Sequence, residues 1–338
     1  MKYFAIAGKN QKLSKYELSL VGNNIVQYGP IFLFDTNNFE KCKYLAWFTK
    51  IGEIVDLESF IKKDKKLVWT NINLNPKDKE KYNIKRYKKV DLLKTDLEVK
   101  NKGIEVIFIK ELPNKVWIVK FYQNIKLYET IDFSRPIRSM QIWMMPSKLT
   151  HLLINFSTKL NYQKTIYDPF VGLGTTAMLW NYLQNNIIAS DLNPTPCKEN
   201  WKFWQTTEFY NQNYKFTCFK QDITKPIKNK FVKFTTNVVS EGFLWPKVGK
   251  FLNEKEAFNL EKSFQNVYIE WIKNILKLPN LQNVTITLPA YKLKNKSFYL
   301  FLDTLEKIKK LGVNIQAFDE IYYRPGQKVW RQIISINL

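Results

Sequence analysis

The chain has 338 residues, 45% of them hydrophobic, with 53 Lys and Arg against 30 Asp and Glu, a single His and a formal charge of +23. That apolar content supports two ordinary domains and excludes a chain that stays unfolded for want of a core. The charge is shared, +11 over residues 1–138 (27 basic, 16 acidic) and +12 over the rest (26 basic, 14 acidic), so no basic tail accounts for it.

A basic field over the whole body suits a polyanion, because each neutralised phosphate releases counterions. Nucleic acid is the leading partner and an anionic membrane surface the second; a biased genome rich in Lys, Asn and Ile gives the same count with no partner at all. Cys42, Cys197 and Cys218 form no CxxC pair, so neither a metal site nor a disulfide framework is signalled. The opening apolar run is too short for a signal peptide and no 18-residue apolar stretch follows, which leads us to expect a cytoplasmic protein with no membrane span.

In chain order, short strand-like runs come first, over 3–7, 31–34, 45–48, 104–109 and 116–121, separated by polar and Lys-rich segments. They predict a small α+β region. Between Lys77 and Lys102 lie ten basic residues and five acids, which read as a solvated loop or, alternatively, a phosphate-contacting face. Arg135-Pro136 marks the boundary, giving an N-terminal region of 1–138 and a second domain of 139–338. Behind Pro146, Leu149, Leu152, Leu153 and Phe156 recur at helical spacing. This predicts a helix with one apolar face and places His151 toward solvent or at a cap, without the Ser or Cys nucleophile that a His-based hydrolase needs.

Beyond the boundary, strands alternate with helices: strands over 165–167, 187–190, 216–219, 237–240, 284–288, 313–322 and 332–336, helices over 175–184, 197–210, 261–276 and 297–311. Such alternation predicts a mainly parallel, doubly covered α/β sheet whose ligand sits beyond the carboxyl ends of the strands.

The first such end reads Asp168-Pro-Phe170-Val-Gly172-Leu-Gly174-Thr175-Thr176. Glycines let backbone approach a ligand, and the helix beginning at Thr175 offers uncommitted N–H groups to an anion. Gly172, Gly174 and Ala177, with Asp191 19 residues past Gly172, also fit the dinucleotide fingerprint, so spacing alone does not choose. Asp168 does. Its carboxylate repels a pyrophosphate but receives the ammonium of a methionine moiety, which favours S-adenosylmethionine (SAM) over NAD. Asp191 then meets the ribose hydroxyls and Asp222 the adenine amine, with Phe170 and Leu192 beside them as cofactor contacts; taken singly, any of these acids is more simply a cap or loop residue.

These motifs, with Ser190-Asp-Leu-Asn-Pro194 and Arg138-Ser-Met-Gln-Ile-Trp-Met-Met-Pro-Ser-Lys-Leu149, resemble the class I SAM-dependent RNA methyltransferases that modify guanosine in tRNA. In that family a THUMP-containing region precedes a Rossmann-like catalytic domain, and Tyr3-Phe-Ala-Ile-Ala-Gly8 with Leu13-Ser-Lys-Tyr-Glu-Leu18 resembles the start of its members. The resemblance implies a ferredoxin-like or THUMP-like RNA-binding region, a tRNA partner and methylation of an exocyclic guanine amine.

Members acting on such an amine carry Asp/Asn/Ser-Pro-Pro-Tyr/Phe at the fourth strand, where this chain has Ser240-Glu241-Gly242-Phe243. The implied scheme uses the first side chain and a following carbonyl as acceptors for the amine, and the aromatic ring as a stacking face. Ser240 and Phe243 keep its two ends, and Glu241 adds an acceptor or base; the plainer alternative pairs Glu241 with a lysine or arginine and makes Phe243 ordinary core. Gly242 gives up the rigidity of proline. Arg324 and Arg331, in the family-like tail, read equally as phosphate contacts or ion-pair residues. Three other readings stay open: a noncatalytic SAM-fold RNA-binding protein, a DNA amino-methyltransferase, and an NAD-dependent oxidoreductase, for which no obvious proton donor is present.

Overall fold

The computed structural model describes residues 2–56, 67–72, 88–89, 104–109, 115–138, 144–242, 251–295, 297–323 and 329–338. Phe243, Arg324, residues 139–143 and nearly all of the basic 77–102 segment lie outside the described residues. The chain divides into two units, Met1–Asn124 and Ile125–Leu338.

The first unit is a mixed sheet. Its strands are β1 (Tyr3–Ala7), β2 (Asn23–Tyr28), β3 (Ile31–Asp35), β4 (Phe48–Asp56), β5 (Leu67–Ile72), β6 (Lys88–Lys89), β7 (Ile104–Ile109) and β8 (Lys115–Tyr122), in the order β2-β3-β1-β4-β8-β7-β5-β6. Phe4 and the alternating Phe32 and Phe34 turn inward, as a strand period of two requires. Helix α1 (Gln11–Leu18) starts where the Asn10 side chain caps the Leu13 N–H, and its buried Glu17 accepts the N–H groups of Ala46 and Trp47 at 2.8 and 2.9 Å. That carboxylate takes up backbone donors that a strand over 45–48 would need for its ladder. The strand expected there begins only at Phe48. Inside this unit one Lys is withdrawn from the surface field: Lys50 pairs with buried Glu105 at 2.6 Å.

The second unit begins at Ile125, ahead of the boundary expected at 138, because the residues between are packed into it. Helix α2 (Ile125–Glu129) and a π-helical turn (Thr130–Ser134) carry Tyr128, whose hydroxyl lies 2.8 Å from His151 Nδ1, and Asp132, which accepts the Ser147 N–H at 3.1 Å. His151 is therefore buried, not at solvent or a cap as expected. Its helix, α3 (Ser147–Thr158), is buried around nearly its whole circumference, since it packs on both a helix and the sheet.

The sheet runs through β9 (Thr165–Asp168), β10 (Asn186–Asp191), β11 (Phe216–Lys220), β12 (Asn237–Ser240), β13 (Asn283–Lys292), β14 (Phe298–Leu300), β15 (Asn314–Tyr322) and β16 (Val329–Asn337), interleaved with helices α4 (Thr175–Tyr182), α5 (Thr195–Trp204), α6 (Glu254–Ile275) and α7 (Leu302–Lys309). Strand order is β11-β10-β9-β12-β13-β16-β15, with β14 added beside β13. β9 to β13 are parallel, whereas β16 runs antiparallel between β13 and β15. The chain leaves β9 in one direction for β10 and β11 and returns to its other side with β12. The carboxyl ends of β9 and β12 therefore form a switch point, the usual ligand position in such a sheet.

β12 and most of β13 are buried on both faces, as parallel strands under helices must be. Three expected helices differ in extent, the one over 197–210 running instead from Thr195 to Trp204. α6 starts at Glu254, earlier than 261, because Asn253 and Glu256 form a capping box; from there Ala257, Glu261, Tyr268, Trp271, Ile272 and Ile275 make one buried stripe. The segment 297–311 opens as strand β14 paired to an extended β13 and becomes helical only from Leu302.

Candidate functional site

Strand β9 delivers Asp168 to the switch point, 1% exposed. Its Oδ1 accepts the Phe170 N–H at 3.0 Å and the Ser240 hydroxyl at 2.7 Å, and Oδ2 accepts the Thr176 hydroxyl. Burial outweighs these donors and pushes the carboxyl up to about 7. Beyond it the chain turns through Gly172 and Gly174, at φ 50° and 86°. A side chain at Gly174 would reach within 3.0 Å of Cys197 Sγ, whereas a Cβ at Gly172 would meet nothing closer than 3.9 Å. Gly174 is a packing requirement; Gly172 borders open space.

Gly174 is also the N-cap of α4 and has no side chain to give the first helical N–H groups a partner. Thr175, first in that helix, is buried and accepts Nη1 of Arg135 at 2.9 Å. The carboxamide of Asn200 stitches two segments together: Nδ2 donates to Leu173 O and Ile137 O, and Oδ1 accepts the Ile137 N–H at 2.9 Å. The stretch around Arg135 is thereby fixed to the glycine loop.

At the end of β10, Asp191 accepts the Gly172 N–H through Oδ2 and the Asn193 N–H through Oδ1, both at 3.0 Å. It sets the loop's shape and stands beside Leu192, a large apolar side chain left 64% exposed. Asp222, after β11, holds the Thr224 N–H and hydroxyl at 3.0 and 2.6 Å; the Thr224 hydroxyl is the main reason its carboxyl sits below the ordinary value. Asp168, Gly172, Gly174, Thr175 and Asp191 thus converge directly through hydrogen bonds or adjacency. Phe170 packs edge-on to Trp271, and Asp222 is tied to the group only by the parallel pairing of β10 with β11.

At the end of β12, the Ser240 hydroxyl joins this constellation through Asp168, with the Gly242 N–H 3.3 Å from the same oxygen. The Glu241 side chain is buried and paired with Arg331 Nε at 2.5 Å, and its backbone carbonyl accepts the Thr287 hydroxyl. A carboxylate locked to a guanidinium is poorly disposed to act as a mobile base; of the two readings of Arg331, this is the ion pair. Gly242 has φ 73°, and a Cβ there would lie 2.9 Å from Thr287 O and 3.3 Å from the Tyr268 ring. The stiffness that proline would give comes instead from close packing.

Arg135, Thr176, Thr287 and Asn200 were not singled out by sequence. Thr176 ends the glycine-loop motif and Arg135 marks the expected boundary, but neither carried a role there; each of the four acts over 8 to 63 positions of separation. The thiols of Cys197 and Cys218, distant in sequence, share a hydrogen bond beneath the loop. Among the described residues no cluster of three or more His, Cys, Asp or Glu could hold a metal, and no helix is long and apolar enough to cross a membrane.

The glycine turn, the uncapped helix start and the apolar Leu192 beside an acidic strand end fit a zwitterionic nucleoside such as SAM. Solved structures similar to this chain include the methyltransferase domain of bacterial CtHen1, at 12% identity and TM-score 0.40 over 57% of this chain and 98% of that one. Another is the magnesium protoporphyrin IX methyltransferase of Synechocystis PCC 6803 with bound SAM, at 11% identity and TM-score 0.36 over 56% and 76%. A methyltransferase from Pyrococcus furiosus matches at 14% identity and TM-score 0.37 over 63% and 93%. No curated protein matches significantly. The family model N6_N4_Mtase, described as DNA methylase, matches residues 21–202, more than half of the chain. Those residues contain the glycine loop and Asp191 but stop short of Asp222 and Ser240. The chain belongs to this methylase family and is a SAM-dependent methyltransferase of the class I α/β fold.

Proposed function

We propose that this methyltransferase modifies the exocyclic amine of a guanosine in tRNA. The observation that carries the reading is the hydrogen bond from Ser240 to Asp168, which joins the fourth-strand motif to the cofactor loop. A bound SAM supplies an electrophilic methyl group on its sulfonium. The Ser240 hydroxyl, bonded to Asp168 and to the Gly242 N–H, keeps a lone pair in hand, and with the Glu241 carbonyl it is assigned as the acceptor pair for an amine. Two acceptors orient the amine hydrogens and so aim its lone pair, a gain in positioning rather than in acid–base chemistry. Glu241, held by Arg331, anchors this carbonyl; Phe243 is assigned the stacking face.

The tRNA assignment is supported by the likeness of residues 3–18 and 138–149 to the tRNA guanosine enzymes and by a charge of +23 spread over both halves, with the N-terminal region as an RNA-binding partner of the catalytic one. The matching family's description favours a second reading, an amino group in DNA. Incubation with methyl-labelled SAM and, separately, total small RNA and duplex or single-stranded DNA decides between them. Labelled N2-methylguanosine from RNA is the expected product. Label in DNA adenine or cytosine establishes the second reading. Tight binding of both SAM and RNA with no transfer to any nucleic acid makes the protein a noncatalytic binder.

A further inference from the structure

Arg135 is 1% exposed, and its guanidinium makes one described hydrogen bond, from Nη1 to Thr175; among the described residues Nε and Nη2 have no hydrogen-bond partner. Asp132 is close enough to influence it electrostatically but forms no ion pair with it, and its Oδ1 accepts the Ser147 N–H instead. A buried guanidinium lacking both counter-ion and acceptors is strongly unfavourable. Its position makes this worse. α4 begins at Thr175 with no side-chain cap, so the positive end of a helix dipole faces a positive side chain. Desolvation accordingly depresses the guanidinium to about 10. Nor is the group there by slack packing, because Asn200 pins Ile137 to the glycine loop two residues further on.

Two positive fields converging on one buried point call for an anion between them. We propose that Arg135, with the first N–H groups of α4, is the binding site for the α-carboxylate of the methionine part of SAM, an assignment that rests on SAM being the cofactor. A planar carboxylate matches the parallel donors of a guanidinium edge, and here Nε and Nη2 are the two donors left over. The remaining poles of the ligand are assigned to the acids: Asp168, at the end of β9, to the ammonium, and Asp191, at the end of β10, to the neutral hydroxyls. Arg135 thereby reads the acid end of the cofactor and discriminates against adenosyl compounds that lack it.

The test compares S-adenosylhomocysteine with 5′-methylthioadenosine, which has the same adenosyl thioether but no amino acid, by calorimetric titration of wild-type protein, R135K and R135M, with the melting temperature of each apo protein alongside. For R135M, S-adenosylhomocysteine should weaken roughly 10- to 100-fold, the loss expected for hydrogen bonds to a charged group, while methylthioadenosine changes by no more than about 2-fold. R135K should fall between, keeping the charge but losing the fork. The apo R135M protein should melt no lower than wild type, since an uncompensated buried charge has been removed. Equal weakening of both ligands together with a lower apo melting temperature would show that Arg135 only supports the loop. Unchanged affinity for S-adenosylhomocysteine would overturn the proposal while leaving the cofactor in place. A wild-type protein that binds neither compound would remove the cofactor assignment and this one with it.

Discussion

The two strand ends that meet at the switch point handle their polar groups in opposite ways. Beyond β9, the start of α4 has no side-chain cap, and the Nε and Nη2 of Arg135 have no hydrogen-bond partner among the described residues. Beyond β12, Ser240, Glu241 and Gly242 are held by Asp168, Arg331 and Thr287. A buried donor without a protein partner calls for an explanation, and at the first end a ligand supplies one. The first end is thus built to be completed by a ligand and the second to be rigid without one.

Breaking the rigid end should have the largest effect. Arg331→Met takes the guanidinium away from buried Glu241 and should lower stability by about 3–5 kcal/mol, and adding Glu241→Gln should recover much of the loss. Urea denaturation of the two single variants and the double gives the cycle; additive losses would mean that the pair is not a unit.

Asp168 belongs to both ends, and pH should reveal it. Burial raises its carboxyl from 3.8 to about 7, so between those values the folded protein keeps a proton that the unfolded chain releases. The resulting stabilisation is complete below about pH 4, fades as pH rises, and is gone above about 7; it is bounded by about 4 kcal/mol at 1.36 kcal/mol per unit. Denaturation midpoints for wild type and Asp168→Asn at pH 5, 6, 7 and 8 should therefore diverge in the wild type's disfavour toward pH 7. Parallel profiles would count against a raised carboxyl.

Glycine replacements sharpen the contrast. Gly242→Ala forces a Cβ to 2.9 Å from a carbonyl at positive φ and should cost about 1–3 kcal/mol of stability. Gly172→Ala meets nothing closer than 3.9 Å, so its cost should be near 1 kcal/mol, with the damage falling on SAM affinity instead. Thermal melts with and without S-adenosylhomocysteine separate the two.

Asp191→Ala should weaken SAM by about 1–3 kcal/mol through lost ribose hydrogen bonds and a loosened Gly172 N–H, with the fold intact. Calorimetry on the variant and circular dichroism check both halves; unchanged affinity would confine Asp191 to shaping the loop.

Much of this was legible in the sequence because it is local. Alternating strands and helices, the glycine turn and the acidic ends of β9 and β10 each occupy one short window with its own period or turn chemistry. What escaped was set by pairing across the fold. Glu241 and Arg331 are 90 positions apart, and nothing near Glu241 announces a partner. Arg135 read as a boundary marker because its contact, Thr175, is 40 positions away. His151 has the spacing of a surface position on an amphipathic helix, but α3 is covered on more sides than one stripe of Leu and Phe can show. Gly242 looked like lost rigidity because the carbonyl of Thr287 that confines it belongs to the neighbouring strand.

The antiparallel β16 has a consequence for the order in which the molecule can be made. It follows β15 in sequence, yet it lies inside the sheet between β13 and β15 rather than at an edge. As the chain emerges residue by residue, β9 to β13 can pair as soon as they appear, but β15 has no neighbour until β16 arrives to slot between them. Arg331 travels with β16, so the Glu241–Arg331 pair beside Ser240 forms only once β16 has been made. Assembly of the second unit should accordingly be a late, single event closed by long-range contacts, which favours slow folding over stepwise growth.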